Sequence, residues 1–216
     1  MAWPRSSLLP KAPPPPRAAE GPSPPAHQLS AGRRVLKDET DEALAQGSVS
    51  GDPRAFEELV TRYQRMVYTL ALRMVGNGED ARELTQVSFI KAWRGLGRFD
   101  SRRRFFSWLY RIAVHECLNF RRQRRRFEAM ETEPESPGRG PAEQAEELET
   151  EARVQQALNR VGERDRQILI LRHFLDLSYE AIGEALRVPP KTVKSRLYVA
   201  RQRLRIELER IGVDGS

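Results

Sequence analysis

Between Asp52-Pro53 and Gly76-Asn77-Gly78, the apolar residues Phe56, Leu59, Val60, Tyr63, Val67, Leu70, Ala71 and Met74 recur at steps of three and four. That period suits a helix and not a strand. The flanks agree: Asp at an N-cap followed by Pro at the first helical position starts a helix, and the glycines stop it. The pattern predicts a second helix from about Glu79 to Arg94, ending before Gly95-Leu96-Gly97, and a third from about Arg104 to Arg125. Further helices are predicted near 152–161, 164–175, 178–186 and 190–210, with Ser178 capping the third of these and Pro190 opening the fourth. No stretch carries a strand signal and no internal repeat is visible. The expected fold class is all-α, with two small helical domains joined by an acidic flexible linker.

The boundaries follow from shifts in composition. Residues 1–38 form a proline-rich extension, with nine prolines in the first 25 positions. Such a segment cannot bury enough surface to offset its chain entropy, so disorder is expected. Two other readings stay open: a proline-rich docking arm, or a start codon assigned too early, since folded sequence begins near Val35. The first domain is expected over 39–126. Residues 127–150 are the linker; nine glutamates face one arginine over 128–151, among prolines and glycines, and the helical pattern resumes near Glu143. The second domain is expected over 151–212.

Charge narrows the function. The chain of 216 residues carries a net charge of +7, which favours an anionic partner, nucleic acid or a membrane surface. With one cysteine, Cys117, there is no intrachain disulfide and no secreted disulfide scaffold. No apolar run approaches the ~20 residues of a membrane span, and the N-terminus lacks a signal-peptide core. A cytoplasmic protein with no membrane insertion is expected.

Two surfaces carry the chemistry. SYEAIGEAL, RVPP and KTVKSRLYVARQRLR have the form of a helix-turn-helix. On its last helix Val193, Leu197, Ala200 and Leu204 face inward, and Lys191, Lys194, Ser195, Tyr198 and Arg201 face out. Seven basic residues and no acidic one lie between 186 and 206. A helix with that face fits the DNA major groove. A merely solvated amphipathic helix would mix both signs of charge.

The stretch RRRFFSWLYRIAVHECLNFRRQRRR, residues 102–126, pairs aromatic rings with arginines. At helical spacing Phe105, Phe106, Leu109, Tyr110, Ala113, Cys117 and Phe120 share an inward arc, with Glu116 the exception within it. Ser107, Arg111, His115, Asn119 and Arg122 lie opposite, with Trp108 at the edge. Trp108, Arg111, His115 and Asn119 form one exposed line at steps of three, four and four. Rings among cations suit unpaired bases, because stacking contributes roughly 1–3 kcal/mol per base. From Gly97 to Arg126 ten basic residues oppose two acidic ones. The pattern therefore points to single-stranded or melting DNA. The competing reading makes Trp108 a core residue and the arginines generic phosphate contacts.

An enzyme finds little support. His27, His115 and His173 are scattered, no nucleophile motif or phosphate-cradling loop accompanies them, and no metal site or cofactor is expected. A stand-alone helix-turn-helix regulator explains the C-terminal domain but not the aromatic-arginine helix.

GDPRAFEELVTRYQRMVYTLA, ELTQVSFIKAW, FFSWLYRIA and LSYEAIGEAL…TVKSRL, in that order and spacing, resemble the sigma-70 family of bacterial RNA polymerase specificity subunits, in the extracytoplasmic-function group. The resemblance covers about residues 39–126 (sigma region two) and 150–210 (sigma region four). It implies a sigma factor that binds core RNA polymerase at its clamp and flap regions, directs it to promoters and promotes melting. Glu83, Leu84, Gln86 and Trp93 would dock on the clamp. The loop Arg98–Arg104, including Arg102 and Arg103, and the helix with Trp108, Arg111, His115, Asn119 and Arg122 would recognise and melt the −10 element as single strands. Lys191, Thr192, Lys194, Ser195, Tyr198 and Arg201 would read the duplex −35 element. The acidic linker would thread the polymerase's nucleic-acid channel. An anti-sigma protein is a further implied partner; no small-molecule substrate is. The holoenzyme would sit on the nucleoid. The sequence departs from the family at Val87, where an acidic residue is common, at Arg187 and Lys191, where glycine is usual, and at Val199, where a basic residue is common. Arg187 then requires a strained or reshaped turn.

Overall fold

The computed structural model describes residues 36–128 and 145–212, without the side chains of 128 and 145–150. The proline-rich extension up to residue 35 and most of the acidic linker lie outside the described residues. Among the described residues every regular element is helical: α1 Asp41–Val49, α2 Pro53–Val75, α3 Gly78–Gly95, a 3₁₀ turn Leu96–Arg98, α4 Phe105–Glu128, α5 Ala145–Arg160, α6 Glu163–Leu169, a π-helical turn Ile170–Phe174, α7 Tyr179–Leu186 and α8 Pro190–Arg210.

Local chemistry sets most boundaries. The Asp52 carboxylate accepts the Arg54 amide at 3.0 Å ahead of Pro53. Gly76 ends α2 in the left-handed region, at φ 80°. Asn77 then caps α3 by accepting the Glu79 and Asp80 amides at 2.8 and 3.1 Å. Ser178 caps α7 through the Ala181 amide, and Pro190 opens α8 as expected. Helix α5 begins at Ala145, close to Glu143 where the helical pattern resumes and ahead of the compact unit's first helix expected near 152. The helix expected over 164–175 is α-helical only to Leu169 and continues as the π turn.

Sequence periodicity missed α1. Arg62 of α2 holds its start, donating to the carbonyls of Leu36, Lys37 and Glu39 and to the Asp41 carboxylate. The Tyr63 hydroxyl donates to the same carboxylate, and burial with that contact raises the phenol's pKa.

Helices α2, α3 and α4 bury Phe56, Leu59, Leu70, Met74, Phe89, Phe105, Leu109 and Ala113 between them. In the second unit Leu158, Ile168, Leu171, Ile182, Val193, Leu197 and Ala200 are buried among α5 to α8. Arg166 joins the two units. Its fully buried guanidinium donates to the carbonyls of Leu158 and Asn159, both at 2.6 Å, and of Val161 and Met74, both at 3.3 Å. It therefore closes the C-terminal ends of both α5 and α2, whose last carbonyls lack helical partners.

The turn of the helix-turn-helix is tight. Arg187 occupies the left-handed region at φ 56°, as its place in the turn required. A left-handed non-glycine residue costs on the order of 1–2 kcal/mol. Beside it, a Cβ on Gly183 would lie 2.7 Å from the Val188 carbonyl oxygen, which is backbone and cannot rotate away. Gly183→Ala is therefore expected to destabilise the second unit by about 1–3 kcal/mol. Urea unfolding followed by circular dichroism checks this, and an unchanged midpoint would contradict the packing described.

Candidate nucleic-acid interface

Helix α8 turns two faces in opposite directions. Val193, Leu197 and Ala200 are buried, while Lys191, Lys194, Ser195, Tyr198 and Arg201 are exposed and Thr192 is half-buried. Tyr198 stands 65% exposed, an unusual position for a large ring. Ser195 donates to the Thr192 carbonyl at 3.1 Å. Arg201 Nε donates to His173 Nε2 at 3.1 Å, so that histidine nitrogen carries no proton. Burial, then the Arg201 and Arg172 charges, lower the His173 pKa. The acidic side chains near α8 sit off the exposed face: Asp165 and Glu207 pair with Arg203 and Arg210.

Helix α4 and the loop before it make the second surface. Asp100 organises the loop, accepting the Arg102 amide at 3.1 Å and the Arg102 guanidinium at 3.0 Å. The Arg102 hydrogen bonds hold the Asp100 carboxyl below its ordinary value. Arg98, Arg102, Arg103, Arg104 and Arg122 are exposed. The line of four is less open than the spacing suggested. His115 is exposed, but Trp108, Arg111 and Asn119 are half-buried. The Trp108 ring leans on Phe99 and Phe105, with centroids 5.3 and 5.7 Å away. Ser107, expected on the outer side, is buried, because the second unit packs along that side of α4.

Glu116, the exception on the inward arc, finds a partner there. Its carboxylate accepts Lys91 Nζ of α3 at 2.6 Å and lies 3.2 Å from His115 Nδ1. Burial alone would raise its pKa, but the hydrogen bonds from Lys91 and His115 hold the carboxyl below its ordinary value. Asn119 Nδ2 lies 3.1 Å from the same histidine nitrogen. A polar chain thus runs from α3 to the exposed edge of α4. No local sequence signal marks it, since Lys91 and Glu116 come from different helices.

On α3, Glu83 and Gln86 are exposed. Leu84 departs from its expected partner-facing role, being 7% exposed and turned into the core. Trp93 is half-buried, edge-on to Phe56 with ring centroids 4.8 Å apart. Among the described residues no group of three metal-ligating side chains converges, and no helix is long and apolar enough to cross a membrane.

Comparison with known proteins finds matches to both helical units. Residues 59–127 match the family model for sigma-70 region 2, and residues 151–204 match that for sigma-70 region 4. The chain is 35% identical to the RNA polymerase sigma-H factor of Pseudomonas aeruginosa, over 78% of this chain and 93% of that protein. It is 31% identical to the ECF RNA polymerase sigma factor SigW of Bacillus subtilis, over 73% and 91%. Among solved structures it resembles CnrH in complex with the cytosolic domain of CnrY, at TM-score 0.61 and 27% identity, covering 79% of this chain and 98% of that one. It also resembles the sigma factor RpoE of Bartonella quintana in complex with the anti-sigma factor NepR, at TM-score 0.57 and 25% identity, covering 71% and 96%. With both family regions in order, and relatives matched over most of their length, the chain belongs to the sigma-70 family of RNA polymerase sigma factors, in the extracytoplasmic-function group, whose members confer promoter-specific transcription initiation.

Proposed function

We propose that the exposed face of α8 reads the duplex −35 element and that the loop and outer edge of α4 engage the −10 element as it melts. The observation that carries the first assignment is the α8 face itself: Lys191, Lys194, Ser195, Tyr198 and Arg201 are exposed on one side, with no carboxylate among them. Lys and Arg reach guanine acceptors and phosphates in the major groove, and a phenol reaches a thymine methyl or a phosphate. Thr192, half-buried, sits at the groove-facing edge of the first turn.

On the −10 side, Arg98, Arg102, Arg103, Arg104 and Arg122 supply phosphate contacts. Trp108, Arg111, His115 and Asn119 supply the surface on which a base is held. Trp108 reaches a base with its outer ring edge, its inner face being committed to Phe99 and Phe105. Glu83 and Gln86 present the polar contacts to the polymerase clamp. Trp93 stiffens the helix beneath them, and Leu84 contributes by packing rather than by touching the partner. The four functional segments divide at 38, 126 and 150, with the second unit reaching the flap. The acidic segment occupies the polymerase's nucleic-acid channel. The chain performs no bond chemistry of its own and requires no cofactor. Its place is the cytoplasm, and the nucleoid when in holoenzyme. Resemblance to a sigma factor solved with the anti-sigma factor NepR supports a similar inhibitor for this chain.

Lys194→Ala and Tyr198→Ala test the −35 assignment. Each is expected to weaken discrimination between cognate and scrambled −35 duplexes by about 1–3 kcal/mol in holoenzyme. Competition binding at fixed salt measures it. A loss equal on all sequences would assign the residue to phosphate instead.

A further inference from the structure

The Glu116 side chain is only 10% exposed, and both of its carboxylate oxygens are engaged. Oε2 accepts Lys91 Nζ of α3 at 2.6 Å, and Oε1 lies 3.2 Å from His115 Nδ1. An ion pair with one half-exposed partner contributes little to stability, and the Lys91 side chain is 49% exposed. The consequence of the pair lies in what it does to the histidine.

Hydrogen-bond polarity passes along the chain of three. A lysine ammonium only donates, and an ionised carboxylate only accepts. Burial pushes the Glu116 carboxyl up, but the hydrogen bonds from Lys91 and His115 together hold it below its ordinary value, so it is ionised near neutral pH. His115 Nδ1 must then carry the proton that meets Oε1. In a neutral imidazole the other nitrogen is left bare. Asn119 does not alter that choice. Its Nδ2 lies 3.1 Å from Nδ1 and 3.4 Å from Nε2, so it sits between the two nitrogens and in line with neither. The His115 side chain is 68% exposed, and Nε2 has no further partner among the described residues. The ring therefore holds out an oriented acceptor.

The four bases differ in what they offer to such a group. Adenine N6 and cytosine N4 donate, whereas thymine O4 and guanine O6 accept. A bare Nε2 takes the first pair. Against the second, two lone pairs would face each other.

We propose that Glu116, held by Lys91, is a positioning residue that fixes His115 in its Nδ1-protonated form, and that His115 Nε2 thereby selects a base with an exocyclic amine, adenine or cytosine, in the −10 strand. The proposal rests on the −10 assignment of α4, but the protonation of the ring is measured without DNA.

Glu116→Gln reverses the polarity and keeps the shape. Lys91 can only donate, so it takes the glutamine oxygen and turns the glutamine amide nitrogen toward His115. Nδ1 must then accept, and the proton moves to Nε2. That nitrogen becomes a donor, suited to thymine O4 or guanine O6. Adding Lys91→Met frees the glutamine to turn either end toward the ring, so the reversal should weaken.

Two measurements on the full chain test this. Long-range ¹H–¹⁵N spectra of the imidazoles, taken at about pH 8.5 where an ordinary imidazole is neutral, show which nitrogen is protonated. His115→Gln identifies the His115 signals beside those of His27 and His173. Holoenzyme then selects promoters from a pool randomised over the −10 segment, and the selected DNA is sequenced. The unsubstituted chain should show a protonated Nδ1 and favour adenine or cytosine at one −10 position by about fivefold, the modest end of a base contact. Glu116→Gln should move the proton to Nε2 and shift that position alone toward thymine or guanine by a similar factor. Glu116→Gln with Lys91→Met should lie between the two. A proton on Nε2 in the unsubstituted chain, or one on Nδ1 that Glu116→Gln does not move, would overturn the proposal. A proton that moves as expected without any change in base preference would keep Glu116 as the residue that fixes the ring, and would overturn the selection by His115 together with that residue's −10 role.

Discussion

Replacing Arg166 with leucine should lower the stability of this protein more than any other single change described. The guanidinium is fully buried and donates to four main-chain carbonyls, at the ends of two helices. It has no carboxylate partner among these contacts; the partial negative charge at the two helix C-termini compensates it. Leucine fills part of the volume but leaves those carbonyls buried without donors. Hydrogen bonds to a charged group contribute about 1.5–3 kcal/mol each, and relaxation recovers some of the loss. A net cost of about 3–5 kcal/mol follows for breaking a buried charged contact. For a folded body of this size the melting temperature should fall by roughly 10 °C. Arg166→Lys keeps the charge but offers fewer, differently aimed donors, so it should fall between the two. Calorimetry on the full chain measures both. A shift below about 2 °C for leucine would mean that the carbonyls find water.

The second large effect belongs to Trp108. Trp108→Ala removes a ring that leans at a tilt on Phe99 and Phe105 inside and, in the reading proposed, presents an edge outside. Loss of one stacked base costs roughly 1–3 kcal/mol, equivalent to about a five- to 150-fold drop in open complex. Because the ring also packs, the alanine protein should melt lower. Trp108→Phe separates the two effects: it keeps most of the packing and should restore the melting temperature while recovering opening only in part. Potassium permanganate footprinting measures opening, and holoenzyme assembly is measured beside it. Equal loss of opening and assembly, or loss of neither, would return Trp108 to a purely internal role.

The parts legible in the sequence were those set within a few residues of each other. Asp52-Pro53, Gly76, Ser178 and Pro190 mark helix ends because caps act over one turn. The inward faces of α4 and α8 followed from helical spacing, and Phe105, Leu109, Ala113, Val193, Leu197 and Ala200 are buried as expected. What escaped depends on a partner far along the chain. Arg166 reads as one more charge in ERDR, and only the converging ends of α2 and α5 make it interior. Ser107 and Arg111 belong to the outer side of α4 by spacing, but the second unit covers that side. Glu184 and Arg104 lie 80 residues apart, and no local pattern pairs them. Helix α1 was missed for a different reason: its sequence, DEALAQGSV, is too short and too mixed to show a period.

The assignment of the two surfaces stands or falls on polymerase. Run-off transcription of fragmented genomic DNA, with purified bacterial core RNA polymerase and with or without this chain, tests it most directly. The account predicts new start sites that appear only with the chain, share paired −35 and −10 elements, and weaken with Lys194→Ala and Trp108→Ala. Tight duplex binding by the chain alone, with no new starts in the presence of core polymerase, would contradict it.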